Sequence, residues 1–167
     1  APALTAVQAI SFLAAVFWLY RLGSLVHEVA HLGHGEMRVF KVTWNLLVGV
    51  ITLSPSPFFT RHHRDHHSAR LYGTREDPEY VRNFFPSAGW WGAVVFGIEI
   101  VLLPIFVFLR FLLAPLTFLH PKLREFFMRH GSSLTLNRRY ERRLNSFDRK
   151  VVTAIELLCC VRAAMIP

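Results

Sequence analysis

Residues 3–31 read ALTAVQAISFLAAVFWLYRLGSLVHEVAH, and this stretch decides the fold. From Ala3 to Tyr20 its clearly polar members are Thr5 and Gln8. A helix needs roughly 20 apolar residues to cross a hydrocarbon core about 30 Å thick, and with Ala1 and Pro2 the run just reaches that length. Trp18, Tyr20 and Arg21 follow as an interfacial anchor. Helical spacing continues from Leu22 to Leu32, until Gly33 and Gly35 stop it. On that polar extension His27 and His31 stand at i and i+4, so one helical face carries both imidazoles. The reading is a membrane helix that ends in paired histidines.

Composition agrees. The chain has 167 residues, 53% of them apolar and 18% charged, with a mean hydropathy of +0.33. A soluble domain carries about 45–50% apolar and about 25% charged residues, so this chain is shifted toward lipid. Disorder, a collagen-like fibre and a disulfide-stapled module are excluded. The net charge of +8 would suggest nucleic acid in a soluble protein. Here the Lys and Arg residues cluster between apolar runs, as basic loops do on the cytoplasmic face of a bilayer, and no nucleic-acid-binding motif accompanies them. Cys159 and Cys160 are adjacent and make no disulfide framework.

Outward from the first run the chain divides into segments. Residues 1–35 form the membrane helix and first histidine cluster. Residues 39–53 are too short, with Lys41, Thr43 and Asn45 among them, for a crossing and read as an interfacial helix ended by Pro55 and Pro57. Residues 61–82 hold the second histidine cluster. Residues 90–119 are apolar but interrupted by Glu99, Pro104, Arg110 and Pro115, which fits a tilted span or a membrane hairpin. Residues 121–150 carry nine Lys and Arg against three acids and read as cytoplasmic. Residues 151–167 read as the start of a further membrane segment, and the chain as part of a longer protein. The expected class is all-α: an integral membrane helical bundle with histidine-bearing helical extensions on the cytoplasmic side.

Seven of the nine histidines fall in two clusters. The first is His27-Glu28-Val29-Ala30-His31 with His34 beyond it. The second is His62-His63-Arg64-Asp65-His66-His67, in which His63, His66 and His67 stand at i, i+3 and i+4 and converge on a helical turn. Neutral imidazole suits zinc, copper, iron and nickel, and histidine beside a membrane segment is costly unless it has a function. Taken alone, His27-Glu28-x-x-His31 matches the zinc-protease helix, with Glu28 as general base. The second cluster holds more histidines than one tetrahedral zinc can use, so two metals sharing imidazoles fit better. Such a centre can activate dioxygen and attack an unactivated C–H bond. His120 and His130 have no partner at ligand spacing.

Together, His27 to His31, His63-Arg64-Asp65-His66-His67 and Tyr72-Gly73-Thr74-Arg75-Glu76-Asp77-Pro78-Glu79-Tyr80 resemble the membrane fatty acid desaturase superfamily. The likeness is to bacterial members with H-x-x-H-H followed by Y-G-T-x-x-D-P-E-Y. It is specific from Leu13 to Tyr80 and looser to Arg143. The resemblance implies an integral membrane enzyme with two iron ions that uses dioxygen and electrons to desaturate or hydroxylate a lipid acyl chain. It implies His27, His31, His63, His66 and His67 as iron ligands, with His34 and His62 as further candidates. It also implies a bacterial inner membrane location and an electron donor such as a ferredoxin or cytochrome. A third histidine box of H-x-x-H-H type, which the family carries near its C-terminal end, is absent from these residues. A zinc metalloprotease and a catalytically inactive relative remain the alternatives.

A ligating histidine usually donates its second N–H to a carboxylate or carbonyl. Asp65 and Asp77 are the expected acceptors, and Glu28 is a candidate in the first cluster; Glu79 is close by, while Glu76 reads as surface charge beside Arg70, Arg75 and Arg82. Phe58, Phe59, Phe84 and Phe85 flank the second cluster, where they pack the core or line an acyl path. The basic stretch meets lipid headgroups or an acidic electron donor.

Overall fold

The computed structural model describes residues 5–33, 35–80, 89–135, 137 and 139–166. His34, Arg82, Phe84 and Phe85 lie outside the described residues. Among those described, the chain is all-helical, without a strand.

Helix α1 spans Ala6–Ser24. Thr5 opens it with a capping box: its hydroxyl accepts from Gln8 N while the Gln8 side chain accepts from Thr5 N at 2.8 Å. No residue of α1 is buried, and Ile10, Phe12, Leu13, Phe17 and Trp18 all face outward. An apolar helix with no buried face has hydrocarbon, not water, as its favourable solvent. The chain breaks at Leu25, where Gly23 and Ser24 weaken the ladder and the Ser24 hydroxyl bonds Arg21 O at 2.8 Å. It resumes as α2, Val26–His31. The expected continuous extension is therefore a separate short helix, which carries His27 and His31.

Helix α3, Arg38–Trp44, runs into a π-helical turn over Asn45–Gly49 and returns the chain toward α1. Trp44 Nε1 donates to Leu22 O at 3.1 Å, and Trp44 packs with Val29 and Val48 in a small core under α2. Asn45 then ties this turn to the next element. Its Nδ2 donates to Ser56 Oγ at 2.9 Å and its Oδ1 accepts from Ser56 N at 2.8 Å. Helix α4, Thr60–His66, follows directly and packs on α2.

Helix α5, Gly89–Leu112, passes through Pro104 without interruption. Its 24 residues rise about 36 Å, enough to cross a bilayer, and Trp90 and Trp91 stack at its start with centroids 4.4 Å apart. A 3-10 turn, Ala114–Leu119, follows it. The described residues thus contain two helical stretches long and apolar enough to span a membrane, Ala6–His31, which takes α1 and α2 together, and Gly89–Leu112. Helices α6, Pro121–His130, and α7, Ser146–Ala164, complete the chain. Phe58, Phe111, Met128, Val152 and Cys159 form the larger core where the end of α5 meets α6 and α7.

An ion triad crosses that core. Glu156 is fully buried on α7 and accepts from Arg110 Nη2 at 2.6 Å and Arg124 Nη1 at 2.5 Å. Arg124 also donates to Thr117 and Thr153. Arg142, likewise buried, donates to Pro57 O and Ser132 O. The basic stretch 121–150 is therefore not a single surface element, because Arg124 and Arg142 hold the interior together.

Candidate metal centre

Two helical turns build the site. On α2, His27 and His31 are one turn apart; on α4, His63 and the capping residue His67 are one turn apart. The helices pack with these faces opposed, and one ligand nitrogen from each of the four histidines lies within 4.8 Å of the others. His63 Nε2 is 3.2 Å from His31 Nε2 and 3.2 Å from His67 Nε2. The His27 ring closes the group, with its centroid 4.6 Å from those of His31 and His63.

Carboxylates fix the tautomers on the second helix. Glu79 Oε1 lies 2.6 Å from His63 Nδ1. A carboxylate only accepts, so His63 donates from Nδ1, and in the neutral ring this tautomer leaves Nε2 as the lone pair. That lone pair faces two further Nε2 atoms at hydrogen-bond distance, an arrangement a shared cation stabilises. Metal–imidazole bonds of about 2.1 Å, meeting at tetrahedral to octahedral angles, separate neighbouring nitrogens by about 3.0–3.4 Å. The observed contacts fall in that range, so the residues present fit a metal ion.

His66 stands beside the group of four. Its Nδ1 donates to Asp77 Oδ1 at 2.8 Å, its Nε2 is 3.7 Å from Glu79 Oε2, and its ring is 5.3 Å from that of His67. Asp77 is buried and also accepts from Gly73 N and Glu79 N. Burial opposes its ionisation, but the hydrogen bonds from Gly73, His66 and Glu79 outweigh it and hold the carboxyl below the usual range.

Other sequence candidates lie elsewhere. His62 turns into the core and donates Nδ1 to Phe58 O at 3.1 Å. Burial pushes its pKa down to about 4, so it is a neutral structural histidine at pH 7 and does not enter the group of four. Asp65 accepts from Tyr140 Oη at 2.7 Å and pairs with Arg61, so its expected histidine partner is replaced by a tyrosine. Adjacent residues on a helix point about 100° apart, which is why His62 and Asp65 miss the face that His63 and His67 share. Glu28 is exposed and, among the described residues, lies 3.2 Å from His27 Nδ1. Phe58 belongs to the core, whereas the Phe59 ring stacks on His63 with centroids 4.7 Å apart.

Sequence spacing did not single out Glu79 or Arg64. The second carboxylate of the D-P-E stretch was the available signal for Glu79. Arg64 donates Nε to Ala30 O at 3.0 Å and Nη2 to Leu32 O at 2.8 Å, clamping α4 to the end of α2. A cation on those last carbonyls also favours the helix dipole. Lys41 adds a third such bond, to Gly33 O at 2.7 Å.

Residues 2–166 match the family described as fatty acid desaturase. Among curated proteins, a ceramide hydroxylase of Caulobacter vibrioides (strain NA1000 / CB15N) is 38% identical over 122 residues, covering 71% of this chain and 34% of that protein. The chain spans about a third of the length of this relative. No solved structure matches.

Proposed function

The chain belongs to the fatty acid desaturase family, and from that membership we propose that it is part of a membrane di-iron oxygenase that hydroxylates or desaturates a lipid acyl chain. The name of the ceramide hydroxylase relative favours hydroxylation, and an amide-linked acyl chain as substrate. The single observation that carries the reading is the convergence of His27, His31, His63 and His67 from two packed helices, their nitrogens within 4.8 Å. His66, fixed by Asp77 at the edge of this group, is the fifth proposed ligand.

Bound iron would supply dioxygen activation and C–H cleavage. The protein's own part is positional. Glu79 and Asp77 hold the Nδ1–H of His63 and His66, leaving each Nε2 free to ligate. Arg64 sets the distance between the two histidine helices. The apolar surfaces of α1 and α5 admit a lipid laterally from the bilayer, and Phe59 covers one face of His63. Electrons would come from a ferredoxin- or cytochrome-like donor. Exposed Arg129, Arg139, Arg143 and Lys150 offer it a basic surface on the side proposed to face the cytoplasm of a bacterial inner membrane.

The test is metal analysis by mass spectrometry on the full-length protein purified in detergent. Near two irons per chain, lost in His63→Ala and His31→Ala, supports the oxygenase, and lipid product analysis then separates alcohol from alkene. One zinc, kept in His63→Ala and lost in His31→Ala, overturns it in favour of a zinc hydrolase. Absence of metal from the full-length protein marks an inactive relative.

A further inference from the structure

The loop that delivers Asp77 and Glu79 is itself held from a distant part of the chain. Thr135 Oγ1 donates to Pro78 O. Asn137 Nδ2 donates to Arg75 O at 3.0 Å and to Asp77 O at 2.7 Å, across about 60 residues of sequence. Asn137 Oδ1 accepts from Arg139 N at 3.0 Å. The side chain is buried, only 8% exposed, and both of its amide hydrogens are used on the two carbonyls that bracket the loop. A buried amide with its donors and acceptor satisfied is a rigid fixture, and its removal leaves buried carbonyls without partners.

From those carbonyls the constraint runs straight to the histidines. Asp77 Oδ1 accepts from His66 Nδ1 at 2.8 Å, and the same oxygen accepts from Glu79 N at 2.9 Å. Asp77 Oδ2 accepts from Gly73 N at 2.8 Å. Two residues on, Glu79 accepts from His63 Nδ1. A shift of the Asp77 backbone therefore moves both carboxylates, and with them the ring orientation and tautomer of both histidines.

We propose that Asn137 is a positioning residue of the histidine centre, acting through Asp77 and Glu79. The inference rests on the reading of these histidines as metal ligands, but the placement of the His66 and His63 N–H groups is measurable without metal. Loss of a carboxylate that supports a ligating histidine typically costs about 10–100-fold in metal affinity. Asn137 acts one link further away, so the expected effect is at the lower end, about tenfold.

The experiment uses the full-length protein in detergent, stripped of metal, labelled with 15N-histidine and titrated with cobalt(II). Asn137→Asp keeps the shape and removes both donors; Tyr140→Phe removes the neighbouring bond to Asp65 and leaves the Asp77 loop alone. Asn137→Asp should weaken cobalt binding about tenfold and abolish the hydrogen-bonded Nδ1–H resonance of His66, while Tyr140→Phe changes neither. If Asn137→Asp does not fold, Asn137→Ser, with one hydroxyl donor, is read by the same two signals. Wild-type affinity together with an intact Nδ1–H resonance in the Asn137 variant overturns the proposal. Equal losses in Tyr140→Phe overturn it too, because Asn137 would then only support general packing. If the wild-type chain takes up no cobalt yet Asn137→Asp still loses the His66 resonance, the metal reading falls and the positioning role stands.

Discussion

His63 Nε2 sits 3.2 Å from His31 Nε2, although 32 residues separate them in the chain. The contact joins two helices that each carry an i, i+4 histidine pair. Arg64, the next residue after His63, bonds the carbonyls on either side of His31, at Ala30 and Leu32. One helical turn thus supplies an imidazole of the cluster and the clamp that sets its distance from the opposing imidazole.

Arg64→Gln removes that clamp without touching an imidazole. Charge-assisted hydrogen bonds are worth about 1.5–3 kcal/mol when buried, and here one end is exposed, so a stability loss of about 1 kcal/mol is expected. The larger effect should be on the proposed metal: iron retained per chain by the full-length protein should fall in Arg64→Gln and also in Arg64→Lys, because an ammonium cannot span two carbonyls as the guanidinium does. Undiminished iron in both variants would show that α2 and α4 find their register without Arg64.

Glu79→Ala leaves His63 Nδ1 without its acceptor and frees the ring to turn. Metal affinity should fall about 10–100-fold, as read by cobalt titration. Glu79→Gln retains a carbonyl acceptor and should fall by less. Equal values for both variants would indicate that the negative charge, not the orienting hydrogen bond, is what Glu79 contributes.

Glu156 is fully buried against Arg110 and Arg124. Glu156→Ala leaves two guanidinium groups without their counter-ion, and breaking such a buried pair costs about 3–5 kcal/mol. Denaturant unfolding in mixed micelles should register this loss. Glu125 pairs with Arg129 and Arg149 at the surface of α6, and Glu125→Ala should leave the unfolding midpoint unchanged, since solvent screens that pair.

Gly49 closes the π-helical turn against the segment leading to α4. A Cβ there would lie 2.9 Å from Pro55 Cα and 3.2 Å from Trp44 Cζ3. Helix propensity alone favours alanine over glycine by about 1 kcal/mol, yet the clash is with backbone and costs about 1–3 kcal/mol. Gly49→Ala should therefore destabilise the protein on balance. A raised melting temperature would mean that Pro55 moves aside freely.

Much of this arrangement was legible in residue spacing. The apolarity of residues 3–20, and of 90–119 between its interruptions at Glu99, Pro104, Arg110 and Pro115, favours helices in lipid, because every backbone polar group there must bond within its own segment. His27 with His31, and His63 with His67, fall on one face by the helical period alone. These are local properties, and the chain carries them wherever the segment is placed.

Which helices face each other, and which acids stand behind the imidazoles, are decided at long range. Spacing offered Asp65 and Asp77 as equals, yet Tyr140, 75 residues away, takes Asp65, while Glu79 is delivered to His63 by a loop bound to Asn137. The charge count of residues 121–150 likewise gave no hint that Arg124 and Arg142 turn inward, where Glu156 and the carbonyls of Pro57 and Ser132 receive them. Helical period acts over four residues and is written in the sequence. A hydrogen bond across sixty residues forms only when independent elements pack, so the partner of each buried donor belongs to the tertiary structure.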